Sequence, residues 1–147
     1  MIDTYKKCDS LAIAPEVFDN LSIRSVVTWN TLITSYVEQG DAEQALQCLE
    51  QMHVSRDSVT FLCALKACKI LKIINEARKI HDEIVNKGYL EEDIRVGNAL
   101  IDTYATCGFL EEAHDVLTKL SVQNVISWTA IISGCIDYSF TKEALNY

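Results

Sequence analysis

Trp29, Leu32, Ile33, Tyr36 and Val37 fall at i, i+3, i+4, i+7 and i+8, the spacing of one apolar stripe along a helix. Gly40 ends that pattern, Asp41 is placed as an N-cap, and Ala42, Ala45, Leu46 and Leu49 form a second stripe. The design returns twice. Phe61 to Ile70 are followed by Ile74, Ala77, Ile80, Ile84 and Val85, closing at Gly88. A further apolar segment from Ile94 reaches Cys107-Gly108, beyond which stand Leu110, Ala113, Val116, Leu117 and Leu120. The pattern predicts successive helical hairpins. A lone hairpin cannot bury its apolar face, so the hairpins must stack, which makes the expected fold an all-α α-solenoid of helix-turn-helix repeats.

The residues themselves repeat as well as the pattern. Ile2-Asp3-Thr4-Tyr5 reappears as Ile101-Asp102-Thr103-Tyr104, and the same offset relates Trp29 to Trp128 and Ala45-Leu46 to Ala144-Leu145. That long echo divides. Val26 to Ile33 resembles both Ser58-Val59-Thr60-Phe61 with its following apolar run and Ile94 to Ile101. Units therefore run 26–57, 58–93 and 94–124, of 32, 36 and 31 residues, with partial units at 1–25 and 125–147. About four stacked hairpins are expected, with the chain stopping inside the last one.

Composition changes little in this picture. The chain is 49% hydrophobic with 1 Pro and 5 Gly, as an ordered globular protein should be. No apolar run approaches the ~20 residues needed to cross a bilayer, and no membrane or small-molecule partner is expected. The N-terminal residues resemble neither a secretory signal nor a transit peptide, so either the chain is cytosolic as written or its true N-terminus is missing. Six cysteines lack any C-x-x-C pair and lie in apolar patterns, which favours buried structural thiols over a metal or disulfide framework.

Charge matters by distribution. The net charge is −8, from 13 basic and 21 acidic residues, which taken alone opposes nucleic-acid binding. The first helices of the units, however, carry Asp3, Glu38, Asp102 and Asp137 against Lys6, Lys7, Lys66 and Lys69, and so balance. The excess acid falls in second helices and links.

Units that open Val-Thr-Trp-Asn-Thr-Leu-Ile and carry Glu43-Gln44-Ala45-Leu46 in the second helix resemble pentatricopeptide repeats more than tetratricopeptide repeats. The alternating lengths resemble the land-plant PLS subclass. On that resemblance 26–57 is a standard (P) unit, 58–93 a long (L) unit and 94–124 a short (S) unit. The partial units are S at 1–25 and P at 125–147. The resemblance implies single-stranded organellar RNA as partner, one base per repeat, in a mitochondrion or chloroplast. It also implies editing helper proteins or a deaminase domain in trans, with no enzyme activity and no cofactor in this chain.

In such arrays the fifth and last residues of a unit read the base. That implies Asn30 with Asp57, a pair associated with uracil, and Asn98 with Asn124, associated with pyrimidines, cytosine before uracil. Thr129 opens the final unit's pair and favours a purine. Leu62 in the long unit cannot hydrogen-bond a base, so that unit is assigned none. Val27, Val59 and Ile126, each the second residue of its unit, are expected to sandwich bases, while Arg95 departs from the pattern. Lys7 matches a phosphate-contacting lysine, whereas Glu38 and Thr106 do not.

Other readings are blander. His81-Asp82-Glu83 matches the His-x-Glu of zinc deaminases but lacks Pro-Cys-x-x-Cys, so it reads as part of an ordinary helix surface. Cys63 and Cys68 lie on different helix faces. Trp29 and Trp128 both open apolar stripes and are expected in the core. Pro15, inside a second helix, should kink it. The competing functional classes are a protein–protein scaffold and a non-functional truncated array.

Overall fold

The computed structural model describes residues 16–22 and 24–146, with side chains to Asp137. Lys7 and Pro15 lie outside the described residues. The described residues form helices joined by short links, with no strand among them, so the fold is all-α. They form a short helix α1, described at 16–20, then α2 (Val26–Glu38), α3 (Ala42–Gln51), α4 (Ser58–Leu71) and α5 (Ile74–Lys87). There follow α6 (Tyr89–Glu92), α7 (Ile94–Thr106), α8 (Leu110–Lys119) and α9 (Val125–Asn146). None is long and apolar enough to cross a membrane.

The chain divides into two compact units at Ala67, within α4. In the first, α2 and α3 form a hairpin. Ser25 caps α2 by accepting the N–H of Thr28, and Asp41 caps α3 by accepting that of Gln44. These caps satisfy amides that the first helical turn leaves without partners. Gly40 makes the intervening turn with φ 83°, a conformation that costs other residues a steric penalty. Trp29, Leu32, Ile33, Ala45 and Leu49 are buried. The Trp29 ring meets that of Phe18 edge-on at 4.5 Å.

In the second unit α7 packs against its hairpin partner α8 and also against α9, the first helix of the next repeat. Val96, Leu100, Ile101, Tyr104, Val116 and Leu117 make a core with almost no exposure. Close approach is possible because two glycines face neighbours. A Cβ on Gly97 would meet Leu120 at 2.5 Å, and one on Gly134 would meet the Cβ of Ala105 at 2.7 Å.

Two expectations are corrected. Residues 125–147 were expected to be a partial unit in which the chain stops inside a last hairpin; α9 runs unbroken for 22 of them. Where the first unit has Gly40-Asp41, this stretch has Ser139-Phe140, which offers neither a favoured left-handed residue nor a good N-cap. Consequently no described second helix folds back over α9. Trp128, expected in the core like Trp29, is 47% exposed, and Ile132 and Ile136 on the same stripe are also exposed.

Candidate nucleic-acid interface

The fifth residue of a unit sits one turn into its first helix, and the last residue caps the first helix of the next unit. That arrangement brings residues distant in sequence together. In the first unit the Asn30 amide Nδ2 donates to Asp57 Oδ1 at 2.9 Å. The Thr60 hydroxyl lies between the two, 2.5 Å from Asn30 Oδ1 and 2.9 Å from Asp57 Oδ1. Asp57 also accepts the Thr60 N–H at 3.0 Å, while its own N–H donates to the Thr60 hydroxyl at 3.2 Å. Asn30 is 6% exposed and Thr60 is fully buried, so each polar atom depends on these bonds.

Partial burial pushes the Asp57 carboxyl up, but the bonds from the Thr60 N–H, the Asn30 amide and the Thr60 hydroxyl together hold it below its ordinary value. Asp57 is therefore an anion at neutral pH.

An equivalent arrangement forms separately in the second unit. The Ser127 hydroxyl donates to Asn98 Oδ1 and stands 3.1 Å from Asn124 Oδ1, which also accepts the Ser127 N–H at 3.0 Å. Ser127, like Thr60, is fully buried. Here Asn98 and Asn124 meet through the hydroxyl.

Asn30 and Asp57 line one open pocket and Asn98 lines another, whose lining does not include Asn124. The first, of about 450 Å³, is lined by Val27, Asn30, Asp57 and Val59, with Glu38 at its rim. The other, of about 500 Å³, is lined by Asn98, Asp102, Val125, Ile126 and Thr129. Val27, Val59 and Ile126 are exposed, at 68%, 42% and 63%. Exposed apolar side chains beside fixed amides can enclose a flat ring and hydrogen-bond its edge.

Asp102 is paired with Lys69 at 2.7 Å. Arg95, the second residue that departs from the apolar pattern, grips Asp93 through Nε at 3.0 Å and Nη2 at 2.7 Å. Neither Arg95 nor Asp93 lines the second pocket. The third-position hydroxyls of Thr60 and Ser127 were missed by the sequence reading. Their signal was present, since Thr60 and Ser127 precede an aromatic residue at matching register where the unit from 94 has Val96.

Two other titratable side chains, His81 and Cys68, are held within the packing. His81 is half-buried, its Nδ1 2.8 Å from the Tyr104 hydroxyl, and burial pushes its pKa down. Burial pushes the Cys68 thiol up to about 12, which removes it as a nucleophile near neutrality.

The PPR repeat family pattern matches residues 24–69, and the PPR repeat pattern matches residues 98–125. This chain carries pentatricopeptide repeats. It is 31% identical over 150 residues to a chloroplastic pentatricopeptide repeat-containing protein of Arabidopsis thaliana, covering 100% of this chain and 24% of that protein. Against DOT4, a chloroplastic pentatricopeptide repeat-containing protein of the same plant, identity is 36% over 143 residues, 95% of this chain and 16% of the relative. A mitochondrial relative from that plant is 32% identical over 144 residues, 96% of this chain and 23% of its own length. The chain thus spans at most about a quarter of these three pentatricopeptide repeat proteins.

Proposed function

We propose that this pentatricopeptide repeat chain binds single-stranded RNA in a plant organelle and reads bases with Asn30–Asp57 and Asn98–Asn124. The supporting observation is the recurrence, in two separate units, of a fifth-residue amide, buried at Asn30 and half-buried at Asn98, that is bonded to a buried hydroxyl and lines an open, partly apolar pocket. Asn30 has one amide hydrogen and one oxygen lone pair left after bonding Asp57 and Thr60, a donor and an acceptor for a pyrimidine edge. The family pairing then gives uracil at Asn30–Asp57, a pyrimidine at Asn98–Asn124 and a purine at Thr129. Val27, Val59 and Ile126 sandwich the bases, and Lys7 meets phosphate. The chloroplastic and mitochondrial relatives support an organellar setting.

The lengths of 32, 36 and 31 support assignment to the PLS subclass, with units 26–57, 58–93 and 94–124. This chain then selects a transcript site, and editing helpers or a deaminase act in trans. With 21 acidic against 13 basic residues, affinity comes from base contacts more than from counterion release. The test is fluorescence anisotropy of the full chain with short single strands. Pyrimidine-rich RNA should bind more tightly than purine-rich RNA, with Asn30→Ala and Asn98→Ala each lowering that preference. Unchanged preference in both variants removes base reading by these residues.

A protein-binding scaffold is the second reading, favoured by the exposed Trp128, Ile132 and Ile136 stripe. It predicts no RNA crosslinking and loss of a pulled-down partner in Trp128→Ser.

A further inference from the structure

We infer that Thr60 and Ser127, the third residues of their units, are positioning residues that fix the amide orientation of the preceding unit's fifth residue. The inference rests on the RNA-reading role proposed above. An asparagine amide presents a donor on one side and an acceptor on the other, and a half-turn about its last torsion exchanges them. A residue that discriminates uracil from cytosine must be held against that half-turn. Uracil offers N3–H and a carbonyl oxygen, whereas cytosine offers N3 and an amino group, so the exchange swaps one match for the other.

At Asn30 the hold is double. Asp57 is an anion that can only accept, so it fixes Nδ2, and the Thr60 hydroxyl donates to the opposite oxygen. At Asn98 the hold is weaker. Among the described residues Ser127 is the partner found for its side chain, and a hydroxyl, which can donate or accept, biases the amide toward presenting its oxygen without locking it as the Asp57 anion does. The hydroxyl has one proton and sits between two acceptor oxygens in both clusters, a placement that helix capping alone does not require. Capping needs only the backbone bond to Asp57 or Asn124.

The third unit start supplies an internal contrast. There the third residue is Val96, fully buried, and α7 is still capped by Asp93. An apolar side chain at this position is therefore compatible with the helix. In sequence, Val96 follows the unit whose fifth residue is Leu62, which has no amide to orient. Hydroxyls stand where the preceding fifth residue is asparagine, and valine stands where it is leucine.

The test uses the full chain as Ser127→Ala, Ser127→Thr and Thr60→Val, with thermal unfolding to confirm folding. In the free protein, the Asn98 side-chain amide is followed by 1H–15N NMR. Ser127→Ala should shift and broaden its two NH2 signals, while Ser127→Thr should leave them sharp. With RNAs differing at the single nucleotide facing Asn98, Ser127→Ala should cut cytosine-over-uracil discrimination about fivefold or more, the equivalent of one lost hydrogen bond. Ser127→Thr should retain it. Thr60→Val should have the smaller effect, because Asp57 still holds Asn30. Unchanged Asn98 signals in Ser127→Ala overturn the positioning role. If Asn98→Ala alters discrimination and Ser127→Ala does not, positioning fails and base reading stands. If neither alters it, base reading itself fails.

Discussion

Asn30 and Asp57 lie 27 residues apart in sequence and share a hydrogen bond of 2.9 Å, so the fifth residue of one repeat is tied to the cap of the next repeat's first helix. One side chain thus serves two tasks, closing a helix and fixing an amide. Asp57→Ala should cost about 1–2 kcal/mol at pH 7, the usual loss for an N-cap aspartate. The carboxyl's folded-state pKa lies below its ordinary 3.8, so its stabilisation is present above that value and lost as pH falls through the folded value. Urea titrations at pH 7 and pH 3 should show the gap between wild type and variant narrowing at the lower pH. A gap that is constant with pH would mean that ionised Asp57 contributes nothing.

Lys72 turns from α4 to α5 with φ 54°, where the corresponding turns use Gly40 at 83° and Gly108 at 88°. A side chain in the left-handed region costs roughly 1–2 kcal/mol. Lys72→Gly removes that cost but adds freedom to the unfolded chain, so a net gain of about 0.5–1 kcal/mol is expected. Gly40→Ala and Gly108→Ala should each lose about 1 kcal/mol for the converse reason. Thermal melts of the three variants check the pattern, and a destabilised Lys72→Gly would contradict it.

Much of this architecture was readable because helix stripes and turn glycines are local signals. Gly40, Asp41 and Gly88 end or start helices where the periodicity placed them. Trp128 was misplaced because its exposure depends on whether a second helix returns over α9, and the signal for that, the loss of the Gly-Asp turn at Ser139-Phe140, lies outside the apolar stripe that Trp128 opens. The Asn30–Asp57 pairing was expected from family resemblance, whereas Thr60 and Ser127 went unnoticed. A hydroxyl near a helix start has an ordinary local use, and only three-dimensional proximity shows it reaching the preceding repeat.

His81 gives the second unit a pH dependence. Burial is the main cause of its lowered pKa and Lys119 adds to it, while Asp82 and Glu112 oppose. Above pH 6.5 the imidazole is neutral in both states. As pH falls through 6.5 the unfolded chain takes up the proton first, and stability drops until the folded-state pKa is reached. Stability measured by urea between pH 7.5 and 5.5 should therefore fall more steeply in wild type than in His81→Gln. Equal slopes would place the imidazole in a water-like setting.

Gly134 lets α9 lie close to α7, because any Cβ there would stand 2.7 Å from Ala105 Cβ and 3.0 Å from Leu110 Cδ2. Two effects oppose in Gly134→Ala. Alanine gains up to about 1 kcal/mol in helix propensity, but the overlap with a neighbouring Cβ forces the helices apart at a cost of about 1–3 kcal/mol. The clash should win, leaving the variant less stable by roughly 1 kcal/mol. Ala105→Gly removes the atom that Gly134→Ala strikes, so the double variant should be more stable than the two single changes summed. A double-mutant cycle from urea unfolding measures that coupling directly. Additive single changes would show that α9 is free to move away from α7 without loss.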